Sequence, residues 1–263
     1  MYDIEKILEK YLGEAQSGNA ALEAARYSLL GGGKRLRPNF VLQSATMLSG
    51  ADENAERLAA GVEMIHTYSL IHDDLPAMDD DDFRRGKPSC HKKFGEAMAI
   101  LAGDALLSLA FEIMTAGECG ARYLAAVNYI AKMSGHGGMV CGQSLDISGR
   151  NKTKKQYLDM IKLKTANMFA ASIAAPALYF GAEEKYFNEL ENFGFNYGIF
   201  FQAADDAADG DGWASQNKAE AAKIATEALE AAKQNLAVLK EKYDVSYFES
   251  VLEKAEELLP QVE

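Results

Sequence analysis

Six aspartates lie within ten residues in the first third of the chain, Asp73, Asp74 and positions 79–82. In a continuous helix Asp73 and Asp79 would point about 240° apart. Pro76 forbids a regular helix between them, and a bulge around it can return Asp79 to the face of Asp73. Clustered hard oxygen ligands are what Mg²⁺ prefers. The sequence therefore predicts a magnesium site here, against the alternative of a solvated acidic loop.

A second acidic motif follows another apolar segment. Asp205 and Asp209 are four residues apart, so they share a helix face, and Gln202 lies one turn earlier on nearly the same face. Alone, this motif is more typical of a helix that ends in solvent at Gly210. Two such motifs, each at the end of an apolar helix, predict two carboxylate clusters that hold several Mg²⁺ ions on one diphosphate.

Cationic residues accompany these motifs. Lys34, Arg35 and Arg37 follow three consecutive glycines at 31–33. The spacing is not that of a P-loop, but a glycine loop that opens a helix with cations can bind a diphosphate. The run 83–88 places a second cationic patch directly after the first acidic motif.

Three further residues draw notice only through their position. His66 precedes Asp73 by two turns on the same helical face, and Lys164 and Thr165 lie in the middle of a predicted helix. A single histidine is usually structural and most such lysines are solvated, so these residues say little by themselves.

The elements that position these residues are predicted to be helices. Apolar periodicity, glycines and prolines delimit nine of them, at residues 4–12, 20–30, 38–47, 54–72, 94–115, 121–133, 154–174, 183–208 and 218–243. No segment shows convincing period-two alternation, and no repeat or flexible linker is evident. The prediction is one all-α domain over residues 1–263.

Composition narrows the class of partner. Hydrophobic residues make up 48% of the chain, charged residues 25%, and the net charge is −12. That charge argues against nucleic acid and gives no attraction to an anionic membrane. An anionic substrate would need local cations or bridging metal ions.

The remaining sequence features predict a cytoplasmic protein. Cys90, Cys119 and Cys141 are odd in number and lack metal-ligand spacing, which fits a reducing compartment. No signal peptide is expected at the N-terminus. The apolar run 169–180 is too short to span a membrane and contains Pro176.

Taken together, these motifs make the chain resemble the trans-polyprenyl diphosphate synthases, and in particular the bacterial farnesyl diphosphate synthases. The resemblance runs nearly end to end and is strongest at residues 30–38, 63–86, 91–107 and 138–146. It implies a single bundle of long helices around a central cavity, a homodimer, and Mg²⁺ as cofactor, with Mn²⁺ able to substitute.

The resemblance also assigns roles residue by residue. Asp73 and Asp79 would bind Mg²⁺ on the allylic diphosphate with support from Asp74, and Asp205 would hold a third ion with Asp209 nearby. The residues that would touch the substrates are Arg84 for the allylic diphosphate, Lys34, Arg37, His66 and Arg85 for isopentenyl diphosphate, and Lys164, Thr165 and Gln202 for the allylic cation.

The implied reaction joins isopentenyl diphosphate to dimethylallyl or geranyl diphosphate by ionisation, condensation and elimination. Tyr68 and Ser69 lie one turn before the first acidic motif, where the growing prenyl tail would pass. A tyrosine ring is large and stiff, so Tyr68 is expected to stop the chain at farnesyl.

One departure from the family leaves alternatives open. The lysine-containing loop that normally follows the second acidic motif is missing, since Gly210 leads almost directly to the helix near Lys218. The departure favours a weakly active synthase or a non-catalytic partner subunit. A terpene cyclase would share the first motif, but it would carry an Asn/Ser/Glu metal motif in place of the second.

Overall fold

The structure is a computed structural model that describes residues 2–13, 18–117, 119–210 and 212–259. Its helices are α1 Ile4–Leu12, α2 Ala20–Leu29, α3 Leu36–Leu48, α4 Glu53–Asp73, α5 Cys90–Phe94, α6 Glu96–Thr115, α7 Ala121–Ser134, α8 Met139–Ile147, α9 Lys154–Ile161, α10 Asn167–Phe180, α11 Glu184–Asp209, α12 Lys218–Leu239 and α13 Ser246–Glu256. The all-α prediction is confirmed.

Short elements complete the described chain. Two-residue strands β1 Phe83–Arg84 and β2 Lys87–Pro88 form an antiparallel hairpin. A π-helical turn, Lys162–Ala166, joins α9 to α10, and a 3₁₀ turn, Gly212–Gln216, precedes α12. The helices predicted from the sequence include no counterpart of α5, α8 or α13, the hairpin was not predicted, and the helix predicted over 154–174 is divided by the π-helical turn.

The described residues form two compact units. Unit 1 comprises the described residues within 2–42 and 51–120, and unit 2 comprises those within 43–50 and 121–259.

Unit 1 is organised around α4. The Asp52 carboxylate caps this helix by accepting a hydrogen bond from Ala55 N at 2.9 Å, as N-cap aspartates commonly do. The middle of α4 is buried on all sides, and α6, α2 and α1 pack around it. A Cβ on Gly61 would lie 2.7 Å from Met114 of α6, so glycine allows the two helices to approach closely. α4 ends at Asp73, so the first acidic motif begins at the end of a buried core helix.

Unit 2 is built on α10, α11, α12 and α7. Eleven consecutive residues of α10, from Asn167 to Ala177, are buried. Gly194 of α11 faces α10, where an added Cβ would lie 2.5 Å from the Cα of Ala170. Phe169 packs edge-on against Tyr197 with centroids 5.3 Å apart. α11, which carries the second acidic motif, therefore rests on the most buried helix of its unit.

One described helix, α6, is long and apolar enough to cross a bilayer by length and composition alone. It packs against α4 and α2 within unit 1. Its outer face exposes two adjacent apolar side chains, Ile100 at 46% and Leu101 at 48%.

Candidate functional site

The chain folds back on itself where α4 ends. Asp79 N donates to the backbone oxygen of Asp73 at 2.9 Å, and Asp80 N donates to that of Leu75 at 3.2 Å. Asp80 adopts a φ of 55° to make the turn. The bulge near Pro76 thus brings Asp79 next to Asp73 along the backbone. Each of these residues offers only carboxylate oxygens, which suit Mg²⁺ better than softer metals.

Asp74 is engaged inside the protein. It is 2% exposed and accepts hydrogen bonds from Nε of Arg84 at 2.9 Å and from Nη2 of the same residue. Nη2 also donates to Asp81 at 2.9 Å. Burial raises the pKa of Asp74, and the hydrogen bond from Arg84 opposes that rise. Asp74 therefore orients Arg84, a pairing that the sequence analysis did not anticipate.

The glycine loop lies against Arg85. Nη1 of Arg85 donates to the backbone oxygen of Gly32. Gly33 has a φ of 133°, and an added Cβ there would lie 2.7 Å from the guanidinium carbon of Arg85. Only glycine combines this backbone conformation with such close approach. Lys34 follows the loop and is exposed.

Arg37 and His66 lie together beside this loop. Nη1 of Arg37 is 3.4 Å from Nε2 of His66. Burial, and then the positive charges of Arg37 and Arg85, hold the pKa of His66 well below its usual value. His66 is therefore neutral at physiological pH. The structure thus groups the two cations Arg37 and Arg85 around a neutral His66. These are three of the four residues predicted to bind isopentenyl diphosphate.

Arg35 has a structural role within the protein. It is 7% exposed, and its Nη1 lies 2.6 Å from Oε1 of the buried Glu63. Nε donates to Glu5 at 2.8 Å, and Nη2 donates to the backbone oxygen of Leu29 at 2.6 Å. Arg35 therefore anchors the glycine loop to the core and is not available to a ligand.

In unit 2 a chain of hydrogen bonds runs through the second acidic motif. Thr165 donates to Oε1 of Gln202 at 2.8 Å, and Nε2 of Gln202 donates to Oδ1 of Asp206 at 2.7 Å. Tyr157 donates to the other oxygen of Asp206 at 2.6 Å. Asp205 and Asp209 are exposed on the same helix. The sequence analysis missed Tyr157 and Asp206, because no local pattern links residues 49 positions apart.

Lys164 pairs with Asp146, which Asn151 holds in turn. Its Nζ lies 2.6 Å from Oδ2 of Asp146, and Asn151 donates to the other oxygen of that carboxylate at 2.9 Å. The π-helical turn carries both Lys164 and Thr165, and such turns are frequent at functional sites. Asp146 lies in the segment 138–146 of strong family resemblance, but no role was predicted for it.

Gly142 of α8 sets the position of Lys164. A Cβ on Gly142 would collide with the backbone N and Cα of Lys164. We expect Gly142→Ala to destabilise the fold by about 1–3 kcal/mol, the usual range for overpacking, and to lower kcat by displacing the turn. Thermal unfolding and steady-state kinetics measure the two effects. Gly137→Ala is the matched control, because an added Cβ there meets nothing within 4 Å. Equal behaviour of the two variants would contradict this account.

The second acidic motif is followed closely by a 3₁₀ turn and α12. α11 ends at Asp209, and Gly210 adopts the left-handed conformation. Within the described residues that follow, the 3₁₀ turn places Trp213 on the ring of Tyr157, with centroids 4.8 Å apart and planes at 26°. The side-chain amide of Asn217 donates to Trp213 O at 2.9 Å. Trp213 therefore packs on the residue that holds Asp206.

A family model described as polyprenyl synthetase matches residues 19–255. The farnesyl diphosphate synthase of Geobacillus stearothermophilus is 42% identical over 217 residues, covering 80% of this chain and 72% of that protein. The chloroplastic geranylgeranyl pyrophosphate synthase of Capsicum annuum is 46% identical over 193 residues, covering 71% of this chain and 52% of that protein. The aligned region is thus about half the length of that plant relative.

Solved structures show the same likeness. The FPP/GFPP synthase of Zymomonas mobilis matches with a TM-score of 0.86 at 33% identity, covering 95% of this chain and 93% of that one. The geranyltransferase of Legionella pneumophila matches with a TM-score of 0.86 at 33% identity, covering 97% of this chain and 92% of that one. These matches place nearly the whole chain on a known all-α fold.

Proposed function

Because this chain belongs to the polyprenyl synthetase family, we propose that it is a trans-prenyltransferase that condenses isopentenyl diphosphate with dimethylallyl or geranyl diphosphate to give farnesyl diphosphate. The observation that carries the proposal lies in unit 1. A turn in the chain brings the backbone of Asp79 to that of Asp73. Arg84 follows a few residues later, and its guanidinium is oriented by Asp74. Carboxylates for a metal and a fixed guanidinium are what a diphosphate leaving group requires.

The proposed role of the acidic motifs is to bind Mg²⁺. Asp73 and Asp79 would hold it in the first motif, and Asp205 and Asp209 in the second. Mg²⁺ held by these carboxylates would supply positive charge to stabilise the departing diphosphate. Asp74 acts on the same reaction indirectly, by keeping the Arg84 guanidinium in place.

The other site residues bind the two substrates. Lys34, Arg37 and Arg85 supply positive charge for isopentenyl diphosphate, and His66, neutral in the free protein, adds a hydrogen bond. Lys164, Thr165 and Gln202 would line the space where the allylic cation forms. Thr165 donates to the Gln202 carbonyl, which fixes that dipole to stabilise a cation. The C–O bond of the allylic diphosphate breaks, the double bond of isopentenyl diphosphate forms the new C–C bond, and the proton lost at the end passes to the released diphosphate. The reaction therefore needs neither a protein nucleophile nor a protein base.

One assay tests the proposal directly. Purified protein is mixed with Mg²⁺, isopentenyl diphosphate and each allylic diphosphate in turn, and the products are separated by length. We expect condensation up to farnesyl diphosphate, accompanied by some allylic alcohol, because the short segment after Asp209 encloses the ionising bond poorly. A chain that makes no prenyl diphosphate with any allylic substrate would overturn the proposal.

The second candidate is a non-catalytic partner subunit of an active synthase. The short connection between α11 and α12 favours it, since only residues 210–217 separate them. The same assay distinguishes the two candidate functions. A catalytic synthase makes prenyl diphosphates alone, whereas a non-catalytic subunit is inactive alone and raises the activity of an added synthase.

Tyr68 is proposed to set the product length. It is 7% exposed, and its ring packs edge-on against His72 with centroids 5.7 Å apart. Tyr68→Ala opens space one turn before Asp73, so we expect geranylgeranyl diphosphate or longer products with metal dependence retained. Product chromatography measures the shift.

Ser69→Ala is the comparison for that variant. The Ser69 hydroxyl already donates to the backbone oxygen of His66 at 2.8 Å, and the side chain is small, so we expect a smaller change in length. If a folded, active Tyr68→Ala variant still makes farnesyl diphosphate as its longest product, a residue other than Tyr68 limits the length of the prenyl chain.

We also propose one polyprenyl synthetase domain over residues 1–263, assembled as a homodimer in the cytoplasm. The exposed Ile100 and Leu101 on α6 offer an apolar contact for a second copy. Cys90, Cys119 and Cys141 are all free thiols, which agrees with a reducing compartment.

A further inference from the structure

Three potential metal ligands meet where the acidic run passes into α5. Asp80 and Asp82 are exposed, and His91 in the first turn of α5 is 6% exposed. One carboxylate oxygen of each aspartate and one ring nitrogen of His91 all lie within 4.8 Å of one another. None of these residues is among those proposed to bind the substrate magnesium ions.

The His91 ring is prepared for a ligand. Its Nδ1 lies 3.0 Å from Oγ of the buried Ser89. Its Nε2 is also buried and has no hydrogen-bond partner among the described residues. When Nδ1–H donates to the serine oxygen, Nε2 keeps its lone pair, and metal-binding histidines commonly have this arrangement. A buried polar atom without a partner requires an explanation, and a bound ion is one explanation that an imidazole nitrogen allows.

The side chain of Ser89 contacts His91 and does not cap α5. It occupies the N-cap position of α5, where serine normally accepts a backbone hydrogen bond, yet its side chain makes no such bond. Its backbone N–H instead donates to the carbonyl oxygen of Asp82 at 2.9 Å. Ser89 therefore links the histidine to the acidic run.

Lys92 already forms an ion pair with one of these carboxylates. Its Nζ lies 2.6 Å from Oδ1 of Asp82. A carboxylate has two oxygens, so Asp82 can retain this exposed ion pair on Oδ1 and offer Oδ2 to a metal. Asp80 makes no ion pair among the described residues, although the charge of Lys92 also acts on it.

We propose that Asp80, Asp82 and Nε2 of His91 bind one first-row transition-metal dication, of the class of Mn²⁺, Co²⁺ or Zn²⁺, in preference to Mg²⁺. One imidazole nitrogen with two carboxylate oxygens suits these borderline metals, whereas Mg²⁺ favours oxygen alone. The ion would tie the acidic run to α5 and so secure the hairpin that carries Arg84 and Arg85. Binding at this site requires no diphosphate and is independent of the proposed catalysis.

The test uses Mn²⁺ and the metal-stripped full chain without substrate. We expect a bound Mn²⁺ whose pulsed electron paramagnetic resonance spectrum carries the nitrogen coupling of an imidazole. Asp80→Asn should weaken this binding at least tenfold without disturbing the fold, since the side chain is exposed. His91→Gln should abolish the nitrogen coupling, with circular dichroism as the check on folding.

Two matched variants separate this site from its surroundings. Asp81→Asn removes an adjacent exposed carboxylate outside the cluster, and Asp73→Asn removes a proposed catalytic ligand. Both should keep the nitrogen-coupled Mn²⁺. Wild-type affinity in Asp80→Asn, Mn²⁺ without nitrogen coupling in the unmodified chain, or loss of the signal in Asp73→Asn would each overturn the proposal.

Discussion

Asp73→Asn is expected to lower kcat/KM for prenyl condensation by at least about 100-fold, the scale seen when one group that stabilises transition-state charge is removed. The backbone N–H of Asp79 donates a hydrogen bond to the backbone oxygen of Asp73 at 2.9 Å. Because the two residues are neighbours, we propose that both carboxylates bind the same Mg²⁺ ions, and replacing Asp73 removes one of these ligands. Steady-state kinetics with saturating Mg²⁺ measures the loss. A chelator should abolish the activity of the unaltered protein, and Mg²⁺ should restore it.

Asp81→Asn is the control for this prediction. Asp81 lies in the same acidic run, and its bond to Arg84 is duplicated by the two bonds that Asp74 makes. We expect kcat/KM to fall by less than about tenfold, in keeping with the modest contribution of exposed ion pairs. Equal losses in the two variants would mean that the run acts only as diffuse negative charge.

Glu63→Gln is expected to lower the free energy of unfolding by about 3 kcal/mol, because it leaves the buried Arg35 without its buried counter-charge. Arg35 and Glu63 are 7% and 2% exposed. The other carboxylate on Arg35 belongs to Glu5, whose side chain is 48% exposed and therefore compensates incompletely. Denaturant unfolding monitored by circular dichroism measures the change.

The matched control for that variant is Glu56→Gln. Glu56 pairs with Lys10 at 2.9 Å on the surface of the same unit, and surface pairs contribute about 1 kcal/mol or less. We expect a change in that lower range. If Glu63→Gln and Glu56→Gln destabilise the protein equally, the Arg35–Glu63 pair does not anchor the glycine loop.

Much of the helical framework follows from the sequence. Helix α1 and the long core helix α4 agree closely with prediction, because apolar periodicity and caps are encoded within a few residues of each other. Helices α5, α8 and α13 were not predicted. α8 is short and follows several glycines, and its buried face is small, with only Met139 and Gly142 buried. The π-helical turn was also missed, since nothing in its composition distinguishes it from α-helix.

The sequence by itself determined the all-α class, the two acidic motifs, the cationic segments and the short connection after Asp209, because each depends on residue types at local spacing. Only the tertiary structure decided what each charge does. Arg35 is committed to Glu63 across 28 positions, Arg84 to Asp74 across 10, and Tyr157 to Asp206 across 49. The physical reason is that burial and partnership depend on side chains brought together by folding, while charge and helix periodicity are properties of neighbouring residues.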